Sequence, residues 1–525
     1  MNTKRIILLL LSVFVGIQVQ AQSQGVNRVL SIDFLKVKGP HSQMFSECIG
    51  AGRANEGLRA DWQEQLKYVK QQCGFKYIRM HGLLTDDMGV YSEDKSGNPI
   101  YNWQYIDKLY DFLLSINMKP FVELGFMPNA LASGSKTVFW WKGNITPPKD
   151  YQKWGNLIKN MVLHFKERYG DKEVKSWYFE VWNEPNLKDI FFSGDQKEYF
   201  KLYSVTANAI KEVSKEYRVG GPATAGSGWV PEFISYCSTE KVPLDFISTH
   251  TYGVKHGFVD LDGTTGTILS QDPQSVSADI VRSRQQIQSS AMPWLELHYT
   301  EWSSSYTPTD CIHDSYHEAS YILDKIKNVG NAPTSMSYWV FTDIFEENGP
   351  RTTPFHGGFG LLNYQSINKP AFYSYQFLNR LGETELENKD AASWACKDKK
   401  GNIQVLLWDF TITHPGDSVN NQVFYKRDLP AKDKGLIKIT LKNVPGGKYK
   451  LDIYKVGYRV NDAYSTYLDL GSPNQLTRDA VNEIKKKNGG KPISSSIVKI
   501  ESGKGCDTEL PMRENDVFLL VLNKI

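Results

Sequence analysis

Cysteine is scarce in this chain. Cys48, Cys73, Cys237, Cys311, Cys396 and Cys506 are scattered over 525 residues with no CxxC pair, which argues against a structural zinc site. Net charge is almost absent as well: 61 Lys and Arg stand against 58 Asp and Glu, a formal +3. That balance creates no global field to attract nucleic acid or an anionic membrane. Beyond the first residues no run approaches the roughly 18 apolar residues of a membrane span. No GxGxxG turn follows the first strand-like run, which removes the doubly wound dinucleotide-binding class. Low net charge with 41% hydrophobic residues excludes disorder as the main state.

What is present begins with a leader. Lys4 and Arg5 precede an almost unbroken apolar run at 6–17, and Val19-Gln20-Ala21 ends in a small residue. This reads as a cleavable signal peptide over residues 1–21, cut after Ala21, with an uncleaved anchor as the alternative. No Cys follows the cut directly, so a lipid anchor is not supported. The expected location is periplasmic or secreted. Export permits disulfides, but a chain this large does not require them, and the cysteines are read as buried small hydrophobes.

The length favours one large domain plus a smaller one. From about 44 to 375, strand-like runs at 44–49, 76–80, 120–124, 177–182, 219–222, 246–252, 295–301 and 336–342 alternate with segments of helical period. In one such segment Ile106, Leu109, Leu113 and Leu114 share a face. Eight strands alternating with helices predict an α/β fold, a (β/α)8 TIM barrel. After about residue 380 alternating strands separated by Pro/Gly turns predict an appended C-terminal β-sandwich, with a short helix near 475–490. The expected division is 22–40 as an N-terminal strand that can join the sandwich, 41–378 as the barrel and 379–525 as the sandwich.

Catalytic groups of such barrels cluster at the C-terminal ends of the strands. The fourth strand ends in Asn183-Glu184-Pro185, and the seventh in Glu301-Trp302. Two glutamates closing opposite strands are what glycoside hydrolysis needs: one carboxyl protonates the leaving oxygen and the other attacks the anomeric carbon. Proline stops the strand after Glu184, and Asn183 supplies donors for a sugar hydroxyl. Trp182 and Trp302 are expected to offer flat faces to sugar rings. Arg79, ending the second strand beside His81, is placed to hold a nucleophile carboxylate ionised, with a structural salt bridge as the alternative. His250 and Tyr252 end the sixth strand. Tyr252 is expected to hydrogen-bond Glu301, and His250 to bind a substrate hydroxyl. Glu123 is expected to orient its neighbours. Trp339, with Glu346 and Glu347 beyond it, is expected to supply a sugar platform and hydroxyl acceptors. No recurring ligand spacing points to a metal, and no cofactor is expected.

These residues resemble glycoside hydrolase family 39, the β-xylosidase and α-L-iduronidase family. The resemblance spans the barrel: IRMHGLLTDDMGVY at 78–91, PFVELGFMP at 120–128, WWKGNITPPKDY at 140–151, WYFEVWNEPN at 177–186, HTYG at 250–253, YTEW at 299–302, YWVFTDIFEENG at 338–349 and PFHGGFGLLN at 354–363. It implies a retaining, metal-independent glycosidase with an appended β-sandwich. By motif, it implies Glu184 as general acid/base and Glu301 as nucleophile. The partner implied is an oligosaccharide or glycoside, with no nucleic acid and no membrane span. β-Xylosidase is the leading activity. The alternatives are α-L-iduronidase, β-glucosidase, β-galactosidase or α-L-arabinopyranosidase, and a non-catalytic carbohydrate-binding barrel. An iduronidase would be expected to place a cation in the sugar pocket, and Lys142, Lys255 and Arg351 lie near strand ends.

Overall fold

In a computed structural model, residues 26–259, 265–416 and 423–525 are described; the leader expected over 1–21 lies outside them. Eight parallel strands close a barrel: β1 (Cys48–Arg53), β2 (Tyr77–His81), β3 (Lys119–Leu124), β4 (Tyr178–Val181), β5 (Arg218–Thr224), β6 (Phe246–Tyr252), β7 (Glu296–Ser303) and β8 (Ser335–Tyr338). They pair in chain order, and Tyr338 of β8 meets Ile49 of β1 to close the ring.

The first strand begins later than the sequence pattern predicts. Residues Met44–Ser46 form a single 3-10 turn, and β1 runs on through Gly50 and Gly52. Gly50 is needed there because a Cβ would lie 2.5 Å from the Trp339 ring. The last strand ends at Tyr338 rather than near Thr342.

Helices cover the barrel because each presents one apolar stripe. In Tyr151–Tyr169 the stripe is Trp154, Leu157, Ile158, Met161, Val162 and Phe165, all buried. Each is worth about 2 kcal/mol of transfer free energy at full burial. The helix starts at Asp150, whose side chain accepts from the Gln152 and Lys153 amides at 2.9 and 3.1 Å.

Inside the barrel, side chains two apart along a strand stack in layers. The lower layer is largely aromatic: Cys48, Phe121, Tyr178 and Phe246, with Tyr77 packed against it and the His298 ring 4.7–5.5 Å from three of them. One step toward the C-terminal end, Arg79, Glu123, Glu180 and Ser248 replace Tyr77, Phe121, Tyr178 and Phe246. The barrel is therefore oily below and charged above. In β7 the pairing with β6 slips by one residue, from Thr249↔Tyr299 to His250↔Glu301. The slip lets Thr300 and Glu301, adjacent in sequence, both reach the charged layer.

The C-terminal strands build a seven-stranded sheet facing a three-stranded one. Ile403–Trp408 sits within the larger sheet and is buried on both faces. Its Val405 and Leu407 enter the sandwich core, while Leu406 and Trp408 pack into the barrel core. Val26–Asp33 pairs in parallel with Asp433–Lys442, and Val37–Pro40 pairs antiparallel with Thr384–Leu386. The helix expected near 475–490 runs Arg478–Lys487. Among the described residues no helix is long and apolar enough to cross a membrane. All six cysteines are free, and five are buried.

Candidate active site

Arg79 is the hub of the charged layer. Its side chain is fully buried. Its Nε donates to Glu180 at 2.7 Å, one terminal nitrogen donates to Asn183 Oδ1 at 2.9 Å and lies 2.8 Å from Glu123, and the other donates to Glu301. Burial alone would lower its pKa, but Glu180, Glu123 and Glu301 together raise it well above the usual value. One guanidinium thus faces three carboxyl groups, and it opposes a burial that favours the neutral forms of Glu123 and Glu301.

At Glu123 burial prevails and pushes the pKa up to about 8, against the pull of Arg79. It lies 2.6 Å from His81 Nδ1. His81 itself is driven down to about 3, by burial first and then by Arg79, so it is a neutral imidazole. Its Nε2 points between Glu301 and Glu347, at 3.5 and 3.7 Å.

Glu301 is held by two groups on opposite sides: Arg79 on Oε1, and the Tyr252 hydroxyl donating to Oε2 at 2.7 Å. Burial raises its pKa, while Arg79, His81 and Tyr252 oppose the rise. Glu184 has no such cation in contact. Burial and then the charge of Glu301 raise it well above the usual carboxylate range. Of the pair, Glu301 loses its proton first. Glu184 sits on a turn with φ +44°, after Trp182 at φ +72°, and its amide donates to Ala223 of β5 at 2.8 Å. That unusual backbone turns the carboxyl back over the barrel mouth.

The two carboxyl groups, with His250, offer oxygen and nitrogen atoms all within 4.8 Å of one another. Among the described residues this is the one trio close enough to share a cation. Its atoms are already engaged: His250 Nδ1 lies 2.9 Å from Glu184 and its Nε2 3.1 Å from Thr300, while Glu301 Oε1 meets the Arg79 guanidinium. A cation would have to part the first pair and sit against that positive charge.

The pair opens into a cavity of about 570 Å³. His81, Asn183, Tyr252, Trp339 and Glu347 line it, with Leu187, Ile190, Phe191, Val254 and Tyr306 further out. Burial, then the charge of Glu301, raises Glu347 well above the usual range. One side of Trp339 faces the Arg79 guanidinium at 5.7 Å and the His81 ring at 4.8 Å.

Four expectations place residues where the structure does not. His250 is fully buried and bonded on both ring nitrogens, so it meets Glu184 and Thr300 rather than a substrate hydroxyl. Glu346 does not line the cavity. It is tied to Arg53 at 2.8 Å and Arg59 at 3.1 Å, and its amide donates to Glu56. Trp182 is buried, its indole N–H donating to the Phe191 carbonyl at 2.8 Å, where it pins the turn after Glu184. Trp302 is buried edge-on to Tyr338. Lys142, Lys255 and Arg351 are likewise absent from the wall: among the described residues no lysine or arginine lines the cavity. The strand-end reading missed Glu180 and Thr300, which share the charged layer with Arg79 and Glu301. The signal for Glu180 was there: a charge between Phe179 and Val181 inside a barrel strand has only the barrel interior to enter.

A closed parallel barrel with two buried carboxyl groups facing each other at its C-terminal mouth is the architecture of a glycoside hydrolase. The glycosyl hydrolases family 39 model matches residues 29–501, and the chain belongs to that family. It is 42% identical over 490 residues to a β-xylosidase of Geobacillus stearothermophilus, covering 91% of this chain and 92% of that one. The fold superposes on a family 39 enzyme from Xanthomonas axonopodis pv. citri with TM-score 0.92 and 41% identity, covering 97% and 100% of the two chains. It superposes on a monomeric β-xylosidase from Caulobacter crescentus CB15 with TM-score 0.90 and 43% identity, covering 95% and 100%. The chain is a retaining glycoside hydrolase.

Proposed function

We propose that this enzyme is an exo-acting β-xylosidase in which Glu301 is the nucleophile and Glu184 the general acid/base. The observation that carries the reading is the spacing and asymmetry of the pair. An oxygen of each lies within 4.8 Å of one of the other, which suits the roughly 5–5.5 Å separation of a retaining pair better than the 6.5–9.5 Å of an inverting one. Glu301 has Arg79 and Tyr252 on its two oxygens, as an anion needs, while Glu184 has a neutral imidazole.

In the first step Glu301 attacks the anomeric carbon, and Glu184 gives its proton to the departing oxygen. The covalent bond removes the charge of Glu301, and with it one cause of the raised Glu184 pKa. Glu184, now a carboxylate, takes a proton from water as that water displaces Glu301 with net retention.

A neutral sugar is favoured because the described cavity wall carries no lysine or arginine to neutralise a uronate carboxylate. The similarity to β-xylosidases over most of the chain supports xylose in particular. A panel of aryl glycosides, including β-xyloside and α-L-iduronide, tests both points with NMR of the first-formed anomer. The xyloside is expected to turn over fastest and release β-xylose first. Initial release of the α-anomer would reject the retaining assignment, and faster iduronide turnover would reject the sugar.

The leader over residues 1–21 supports export of the mature enzyme. Its intact mass from a secreting host is expected to begin after Ala21; an intact N-terminus would overturn this.

A further inference from the structure

Thr300 sits in a chain of hydrogen bonds that the steps above do not use. Resting on the assignment of Glu184 as the acid, we propose that Thr300, anchored by Glu180, fixes the tautomer of His250 and so holds the Glu184 proton in place.

The argument counts hydrogens. Glu180 Oε2 accepts from Arg79 Nε at 2.7 Å, and Glu180 Oε1 accepts from the Thr300 hydroxyl at 2.7 Å. A hydroxyl has one hydrogen. With it given to Glu180, Thr300 Oγ1 can only accept from His250 Nε2, 3.1 Å away. Nε2 therefore carries a hydrogen. His250 is neutral, because burial and then Arg79 hold it well below its usual pKa, so Nδ1 is a bare lone pair. Glu184 Oε1 lies 2.9 Å from it. A bare nitrogen facing a carboxylate oxygen would be repulsive, so the hydrogen between them belongs to the Glu184 carboxyl.

The same tautomer serves both steps. It stabilises the acid while the proton is present. Once the proton has gone to the leaving group, the bare Nδ1 faces a carboxylate and makes Glu184 a stronger base toward water. Thr300 touches neither substrate nor the reacting atoms; it is a positioning residue acting through His250.

Several charges bear on this pair. Glu184 faces Glu301 on β7, Arg79 on β2, Glu123 on β3, His250 and Tyr252 on β6, and Glu347 after β8. His250 faces Glu184, Glu301, Arg79 and His81. Thr300 carries no charge, so replacing it leaves those charges in place; it frees the tautomer and also removes one hydrogen bond to Glu180.

The test is the pH profile of kcat/KM on phenyl β-D-xyloside, whose poor leaving group demands the acid. In Thr300→Val, His250 can place its hydrogen on Nδ1 and donate to ionised Glu184. The basic limb is expected to move down by about one pH unit, the effect of one hydrogen bond to a charged group. The acidic limb should stay, and Thr300→Ser should restore the profile. A basic limb that does not move in Thr300→Val, or that Thr300→Ser fails to restore, overturns the proposal. Nitrogen NMR of the histidine-labelled wild-type enzyme reads the tautomer without any folding risk or substrate. With His250 identified by its lost signal in His250→Gln, an Nε2-protonated ring is expected and an Nδ1-protonated ring would overturn it. Glu184→Gln separates the two claims. Persistence of the basic limb there rejects Glu184 as the acid, whereas its loss there without a shift in Thr300→Val rejects the relay alone.

Discussion

Arg79 decides how protons are shared among the carboxyl groups around it. Replacing it with Met leaves Glu123, Glu180 and Glu301 without their shared cation. The Glu301 pKa then rises, and since catalysis needs Glu301 ionised, the acidic limb of kcat/KM moves to higher pH by about 1–3 units. Stability should fall as well, by about 3–5 kcal/mol, because buried charge is left unpaired; denaturant melts at pH 6 would measure it. Glu184→Ala should distinguish substrates by leaving group. Glycosides with poor leaving groups lose roughly 10²–10⁴ in kcat/KM, while nitrophenyl glycosides keep most of their first-step rate. Glu301→Ala should abolish turnover of both. Equal loss for the two substrate classes in Glu184→Ala would show that this residue is not the acid.

At the scale of elements, the turns and strand edges around the mouth carry their own titration. Glu56, in the 3-10 turn after β1, is buried and pushed up to about 8, by burial and then by Glu346. Its folded pKa lies above the ordinary 4.5, so the folded state binds the extra proton between those values. The associated stability is complete below about pH 4.5 and is lost as pH rises through 8. Glu56→Gln should remove that loss, flattening Tm between pH 5 and 8 and gaining about 2–4 kcal/mol at pH 8. Differential scanning calorimetry across that range checks it, and an unchanged slope would exclude Glu56 as the titrating group. In β5, a Cβ on Gly220 would lie 2.3 Å from the Phe246 carbonyl, so Gly220→Ala should cost about 1–3 kcal/mol or more through overpacking. These element-level features also mark what the sequence could reveal. The alternation of strands and helices was legible, as were the positions of Glu184, Glu301, Arg79 and Tyr252, since each lies within three residues of a strand's C-terminal end, where a barrel exposes its chemistry. Glu180 was passed over inside an otherwise apolar strand, and Thr300 turns inward only through a register slip that no residue pattern signals. Trp182 and Trp302 misled because an aromatic at a strand end fills a wall as readily as it meets a sugar. Glu346 and Glu347 differ only in which side of one loop they take.

At the scale of the whole molecule, barrel and sandwich share one buried surface. Leu406, Trp408, Val517 and Leu519 belong to the sandwich strands yet pack into the barrel core. Cutting the chain near residue 379 would expose that surface, so the barrel alone should be insoluble. Deleting 26–33 should also be severe although it touches no site residue. It removes Leu30 and Ile32 from the sandwich core and uncovers an edge of Asp433–Lys442. The expected result is a lowered Tm and aggregation, and a soluble deletion variant of wild-type Tm would show that this strand is dispensable.

That strand also sets a clock. Val29 pairs with Lys438, a partner made about 409 residues later. At the roughly 5–20 residues per second of synthesis, the N-terminal strand waits some 20–80 s for its neighbour to exist. All eight barrel strands are made during that interval, but the sandwich cannot form. Through every round of synthesis, a half-apolar segment must be kept apart from other nascent chains until its own C-terminus arrives.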